Sequence, residues 1–328
     1  MSFGKRSKWY YLAFGIGSVV LAYILVFSIG GCPGPERRLT EKPIPRMDKE
    51  PILSVYFHDT GQRVKMPLET YIEGVVAGEM KPDWPVDAYA AQAIIARTFT
   101  LEFLSRGGTR KLHGTDISTK PEETQAYNAA AVTPDIKKAV QMTRGEVLSY
   151  RGHYIHGWFS ALCAGETSLA RDGLSYPKPE PPYTARVDCP CPKYTPPGEF
   201  YWKASFTASD IKSALAKVGL NIGDIRSIRI IRRSPDDRVT LFRISHTGGS
   251  TDIAGNDFRV ALGSDRMRST IISTMTFDGS TLYVEGKGFG HGVGMCQWGA
   301  YAFAKQGKSP EEIVTHYFKG VKVVKLWD

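Results

Sequence analysis

Leu68, Ile72, Val75, Val76 and Met80 recur three and four positions apart, and that spacing predicts one apolar stripe on a helix. Glu79 follows Ile72 by seven residues and Val75 by four, so a carboxylate falls on the stripe. Glu73 is rotated about 100° from Ile72 and can reach water. A carboxylic acid held against apolar neighbours is hard to ionise, so its pKa rises and it keeps a proton near neutral pH. The same position also suits a buried, ion-paired structural Glu. A second, alanine-rich helix is expected from Val86 to about Ser105, with Pro85 at its start and Gly107-Gly108 at its end. Ala90, Ala93, Ile94, Arg97 and Leu101 share one face of it. Arg97 is thus a second ionic group on an apolar face, and it requires an acceptor, either Glu79 or backbone carbonyls. Structural support is its first reading and substrate contact its second.

Elsewhere the pattern alternates. Ile52–Phe57 and Arg63–Met66 are expected as strands around Asp59-Thr60-Gly61, and residues 145–159 as a hairpin turning at Arg151-Gly152. Strands are also expected at 225–232 with 238–245, and at 273–277 with 282–285. Short helices are expected from Ser209 or Asp210 to Val218 and over 256–262. Ser309-Pro310-Glu311-Glu312 carries the signals of a helix start. Residues 110–135 and the proline-rich 171–198 carry no regular period and are expected as loops. The class is α+β, as a catalytic domain of two lobes with a substrate cleft.

The first 32 residues stand apart. Lys5, Arg6 and Lys8 precede an uncharged, mostly apolar run from Trp9 to Ile29, long enough to span a bilayer. The basic flank stays inside, which directs the remainder outside the cytoplasm. Ile29-Gly30-Gly31-Cys32 also fits a lipoprotein processing site with Cys32 lipidated. Residues 1–32 are therefore a signal-anchor or lipoprotein signal, 33–51 a proline- and charge-rich linker, and 52–328 the catalytic domain. The net charge of +9, three of it in that flank, suits an anionic wall polymer or lipid surface. Nucleic acid is not expected, in compartment or in motif.

Five cysteines are too few for a disulfide scaffold at this length. His156, Cys163 and Cys189 are candidate metal ligands, with zinc the metal that suits them, although the spacing is not a standard zinc motif. A Cys163 to Cys189 disulfide is the alternative in an oxidising compartment, and Cys296 is expected as a lone thiol. Near the end, six glycines surround His291 between Gly286 and Gly299. The run lacks the Lys-Ser/Thr ending of a phosphate loop. His291 is either a sugar-binding or supporting residue, or a histidine satisfied within a tight turn.

Several segments, in order, resemble the stage II sporulation protein D family, which includes the amidase enhancers. They are Tyr71-Ile-Glu-Gly-Val-Val-Ala-Gly-Glu79-Met80, Ala90-Ala-Gln92-Ala93, Ala96-Arg97-Thr98, Gln125-Ala-Tyr127, Thr143-Arg-Gly145, Gly165-Glu-Thr167 and Gly288-Phe-Gly290-His291-Gly292-Val-Gly294-Met295 with Gln297-Trp298-Gly299-Ala300. The resemblance runs from residue 52 to the C-terminus. It departs at Cys296, where the family has Ser, and at Ala164, where it has Gly. It implies a membrane-anchored lytic transglycosylase that cuts peptidoglycan glycan strands, favouring strands stripped of peptide, with Glu79 as the acid. It also implies zinc bound by His and Cys in some members, near the segment His156 to Cys163. Gln92, Arg97, Ser160, His291 and Gln297 are the expected substrate-binding residues. One carboxylate with a strong case suits a lytic reaction, since hydrolytic glycosidases use two. Asp83, Asp87 and Asp116 are the remaining candidates for a second. The alternatives are a non-enzymatic wall-binding enhancer of an amidase and, more weakly, a metal-dependent amidase using His156 and Cys163.

Overall fold

The computed structural model describes residue 44 and residues 47–328. The expected membrane segment and Cys32 lie outside the described residues. No helix among those described is long and apolar enough to cross a membrane.

Strands β1 (Ile52–Tyr56) and β2 (Arg63–Pro67) pair antiparallel, with Val55 opposite Val64. Helix α1 (Leu68–Glu79) follows directly. Pro67 offers it no side-chain cap, and the Glu50 carboxylate instead accepts the Glu69 N–H at 2.7 Å. The end of the expected linker is thus tied to the folded part: Met47 N–H also donates to the Leu326 carbonyl at 2.8 Å.

Helix α2 (Val86–Ser105) ends where the glycines direct, with Gly107 and Gly108 at positive φ. Every residue from Ala88 to Glu102 is buried, so the whole circumference is covered rather than the single face expected. Helix α1, the helices at 134–142, 297–305 and 310–317, and the strand Glu146–Tyr150 all pack on it. Alanine at five of its positions keeps the helix thin enough for that many neighbours to approach.

Residues 110–135, expected as a loop, contain a helical turn at Arg110–His113 and strand β3 (Ile117–Ser118), which runs parallel to β1. The helix Pro134–Met142 begins there too, capped by the Thr133 side chain with Pro134 in its first turn. Ile136, Ala139 and Val140 form its buried face, three and four positions apart, so its apolar stripe has the same spacing as that of α1. The hairpin turn at Arg151-Gly152 forms as expected, both residues at positive φ, though its second strand is only His153–Tyr154.

A second hydrophobic core is built wholly from residues between Trp202 and Val284. Its two three-stranded sheets are 201–207 with 272–277 and 281–287, and 225–233 with 239–246 and 249–254. Helices at 208–217 and 255–261 complete it. The first of these is capped by Thr207, ahead of the Ser209 or Asp210 expected. The chain leaves the first core at Phe200 and rejoins it at Phe289, where Phe289 and Leu162 exchange backbone hydrogen bonds. The mixed α+β class stands, with two large cores and a small cluster of Ala170, Leu174 and Val293.

Candidate active site

Glu79 is the last residue of α1 and only 5 % exposed. Its Oε1 accepts the Ala126 N–H at 2.7 Å, while Oε2 is buried with no hydrogen-bond partner. Burial pushes its carboxyl pKa up to about 7, against the lowering effects of the Ala126 N–H and Gln297. No cation pairs with it among the described residues' ion pairs. The group is a carboxyl on an apolar face that ionises less readily than an ordinary glutamate and keeps one oxygen without a partner.

The close approach that brings Ala126 to this carboxylate depends on two glycines of α1. A Cβ on Gly78 would stand 2.7 Å from Ala126 C and Tyr127 N, and one on Gly74 would stand 2.2 Å from the Tyr127 ring. The bare helix face lets the 124–128 segment lie directly on α1, where Asn128 N–H also donates to the Gly74 carbonyl at 2.8 Å. Tyr127 stacks on Tyr71, their centroids 5.6 Å apart.

Gln297 reaches Glu79 from the far end of the chain. It opens the helix Gln297–Lys305, and its Nε2 donates to the Glu79 main-chain carbonyl at 3.2 Å and to Gln92 Oε1 at 3.4 Å. Gln92 Nε2, Gln125 Oε1 and Tyr71 Oη are all buried without partners. Unpaired buried polar atoms are rare, and several around one acid mark a place where a ligand or water completes the bonding. Burial raises the Tyr71 phenol pKa, and a charge on Glu79 would raise it further. Just beyond Gln297, Trp298 meets Trp84 at 4.8 Å and Tyr301 at 5.3 Å between centroids, and Lys81 stands 5.6 Å over the Trp298 ring.

The other expected substrate residues fall into different settings. Arg97 is fully buried, and its acceptor is Glu69, not Glu79: Nη2 donates to Oε2 at 2.7 Å and Nε to Oε1 at 3.1 Å. Its Nη1 donates to the Glu146 carbonyl at 2.7 Å. Glu69 precedes Val76 by seven residues, so the helical argument that singles out Glu79 applies to it equally and would have named the partner. Ser160 is buried with its Oγ unpartnered, on a strand that runs parallel to Met295–Cys296, with Ser160 opposite Cys296. His291 Nδ1 accepts the Val293 N–H at 3.0 Å within a tight turn. Burial, with Arg259 and Arg238 nearby, lowers its pKa to about 3 and keeps it neutral. Of the possible second carboxylates, Asp116 is engaged, accepting from Ser54 N–H at 2.9 Å and pairing with Arg110 at 2.7 Å.

The metal candidates are regrouped. Sγ atoms of Cys163, Cys189, Cys191 and Cys296 lie within 4.8 Å of one another, all buried and none in a disulfide. The four-cysteine cluster has the donor set of a metal site. His156 is not in it. Its Nδ1 faces Glu102 Oε1 at 3.1 Å and its Nε2 meets Tyr176 Oη at 3.3 Å, so an acid on α2 holds the ring away from the thiols. Cys296, expected as a lone thiol, belongs to the cluster. A groove of about 790 Å³ lies on the second core, lined by Tyr201, Lys203, Arg266, Arg268 and Tyr283, and Glu79 is not part of it.

A family model described as stage II sporulation protein matches residues 56–150, which hold α1, α2 and Ala126. A second, described as a domain of unknown function, matches residues 194–294, nearly the span of the second core. An uncharacterized protein of Brachyspira hyodysenteriae is 33% identical over 262 residues, covering 79% of this chain and 67% of that protein. Stage II sporulation protein D of Bacillus amyloliquefaciens is 29% identical over 304 residues, 87% of this chain and 83% of that protein. The amidase enhancer of Bacillus subtilis is 26% identical over 293 residues, covering 76% of this chain but 39% of its own length. With these relatives spanning both cores and the family's motif carrying the buried acid, the chain belongs to the stage II sporulation protein D and amidase enhancer family.

Proposed function

We propose that the protein is a lytic transglycosylase that cleaves peptidoglycan glycan strands, preferably those stripped of peptide, with Glu79 as acid and then base. The observation that carries this reading is the Glu79 carboxyl itself, raised to about 7 by burial and holding one oxygen without a partner. A binding surface has no use for a carboxyl kept protonated near neutral pH, whereas a general acid requires one.

In the proposed reaction Glu79 Oε2 gives its proton to the glycosidic oxygen as the bond from that oxygen to the anomeric carbon breaks. The 6-hydroxyl of the same muramic sugar closes on the anomeric carbon and releases its proton to the carboxylate. The acid is regenerated, no water is consumed, and the new end is a 1,6-anhydro-N-acetylmuramic residue. Ala126 N–H holds Oε1 and so leaves Oε2 for the transfer. Gln92, Gln125 and Tyr71, each with an unpartnered buried atom, are the proposed hydrogen-bonding groups for sugar or for water it displaces. His291 and Arg97 are assigned to support, since both are satisfied within the protein.

The reading calls for an extracytoplasmic protein tethered to the membrane through residues 1–32, with glycan strands as substrate and wall amidases as neighbours. The sporulation and amidase enhancer names of its relatives support it. Zinc, if carried, is given a supporting place at the cysteines. A metal-dependent amidase is disfavoured because His156 stands outside the cysteine cluster, whose four thiols leave no open metal position. The second reading, a non-cleaving enhancer of an amidase, is favoured by the relative of that name. Mass spectrometry of peptide-free glycan strands after incubation with the protein separates them. Anhydro ends are expected, reducing ends indicate a hydrolase, and uncut strands the enhancer.

A further inference from the structure

We infer that Cys163, Cys189, Cys191 and Cys296 form a closed four-thiolate zinc site that clamps the start of the Gln297 helix against the rest of the first core. Tetrahedral zinc with sulfur at about 2.3 Å requires sulfurs about 3.8 Å apart. The Cys163 and Cys191 sulfurs stand 3.6 Å apart, and all four lie within 4.8 Å of one another. Tetrahedral sulfur coordination is the preference of zinc and of iron.

Polar groups stand around two of the four sulfurs. Cys296 Sγ accepts the N–H groups of Cys163 and Gly299, each at 3.3 Å, and Tyr317 Oη lies 3.3 Å from Cys189 Sγ. Donors aimed at ligand sulfurs orient the ligands and spread their charge. Gly299 is part of the cradle: a Cβ there would stand 2.4 Å from Cys189 Sγ and 1.9 Å from Tyr317 Oη. All four positions being taken by protein, no place is open for a bound water, which makes the site structural and separates it from hydrolytic zinc. His156 lies outside it, held by Glu102.

The ligands come from three segments distant in sequence: the turn after strand Phe159–Ser160, the Cys189-Pro-Cys191 excursion, and the residue that caps the helix Gln297–Lys305. Cys296 adjoins Gln297, whose amide grips the Glu79 carbonyl. The metal therefore fixes a positioning residue of the acid. Only this last link rests on Glu79 being the acid, and the clamp is tested without glycan.

The full-length protein is purified without chelator and its metal is measured by elemental mass spectrometry. One zinc per chain is expected. A mercurial thiol reagent should release it as four buried thiols react, and alkylation of those four should stay blocked until the metal is stripped. His156→Ala should keep the zinc, and Cys189→Ser should lose it. Two disulfides on peptide mapping, iron in place of zinc, no bound metal in the untreated wild-type protein, or zinc lost with His156→Ala would each overturn the assignment. The wild-type release experiment decides the matter even where Cys189→Ser fails to fold. Glycan cleavage enters none of these readouts, so failure here leaves the Glu79 reading intact and the reverse holds as well.

Discussion

The side chain of Gln297 donates a hydrogen bond to the main-chain carbonyl of Glu79, 218 positions away in sequence. Glu79 ends α1, so its carbonyl has no partner within the helix. Gln297 satisfies it and simultaneously meets Gln92 on α2, tying three helices together at the acid. Gln297→Ala should leave these groups unpaired, at a cost of about 1–3 kcal/mol. Denaturant unfolding reads the loss. A variant as stable as the wild type would show that water replaces the amide without penalty.

Glu79→Gln retains the acceptor for the Ala126 N–H and removes the proton. Glycan cleavage should fall by about 10²–10⁴-fold, as for loss of a general acid. Circular dichroism should be unchanged. Glu73→Gln, at a half-buried position earlier on α1, serves as the control and should cleave normally. Cleavage persisting in Glu79→Gln would refute the acid assignment.

The same carboxyl ties stability to pH. Its folded pKa of about 7 lies above the ordinary carboxylate value of 4.5, so the folded state holds the proton more tightly than the unfolded chain. The associated stability is fully present below about 4.5 and lost as pH rises through about 7. The loss amounts to roughly 3 kcal/mol at most. Melting temperature measured from pH 5 to pH 8.5 should therefore drop more in the wild type than in Glu79→Gln, with the variant the more stable at the alkaline end. Cleavage should also decline above about pH 7, where the acid loses its proton. Parallel melting curves for the two proteins would contradict the shift.

Gly78→Ala sets two effects against each other. Alanine favours a helix by about 1 kcal/mol over glycine. Here its Cβ would meet backbone of Ala126 and Tyr127 at 2.7 Å, and that backbone is held by the Glu79 carboxylate. Overpacking costs about 1–3 kcal/mol, so net destabilisation is expected, together with lost cleavage as Ala126 is pushed off Oε1. An increase in the denaturation midpoint would mean that the segment yields.

Arg97→Ala strands Glu69 in the interior and should cost about 3–5 kcal/mol, as breaking a buried pair does. Loss of folded protein on expression or a collapsed melting temperature is the expected result. A stable Arg97→Ala whose only change is a raised KM for glycan would instead return Arg97 to the substrate.

The sequence by itself determined whatever a local period carries. The stripe of α1 with Glu79 on it, the limits of α2 between Pro85 and Gly107, the Arg151-Gly152 turn and the Ser309 helix cap are all short-range consequences of backbone geometry. A residue three or four positions from its neighbour meets it whatever the rest of the chain does. Contacts between distant segments obey no such rule. Ala126 against Glu79, Gln297 across α1 and α2, Arg97 with Glu69 and the gathering of four cysteines without His156 were decided by where backbones pass close. The approach of Ala126 and the packing of the cysteines depend on missing side chains at Gly78 and Gly299, whose effect appears only once the partner segment is in place. The sequence put the Glu79 carboxyl on the apolar stripe; the tertiary structure decided what holds it and which cysteines gather.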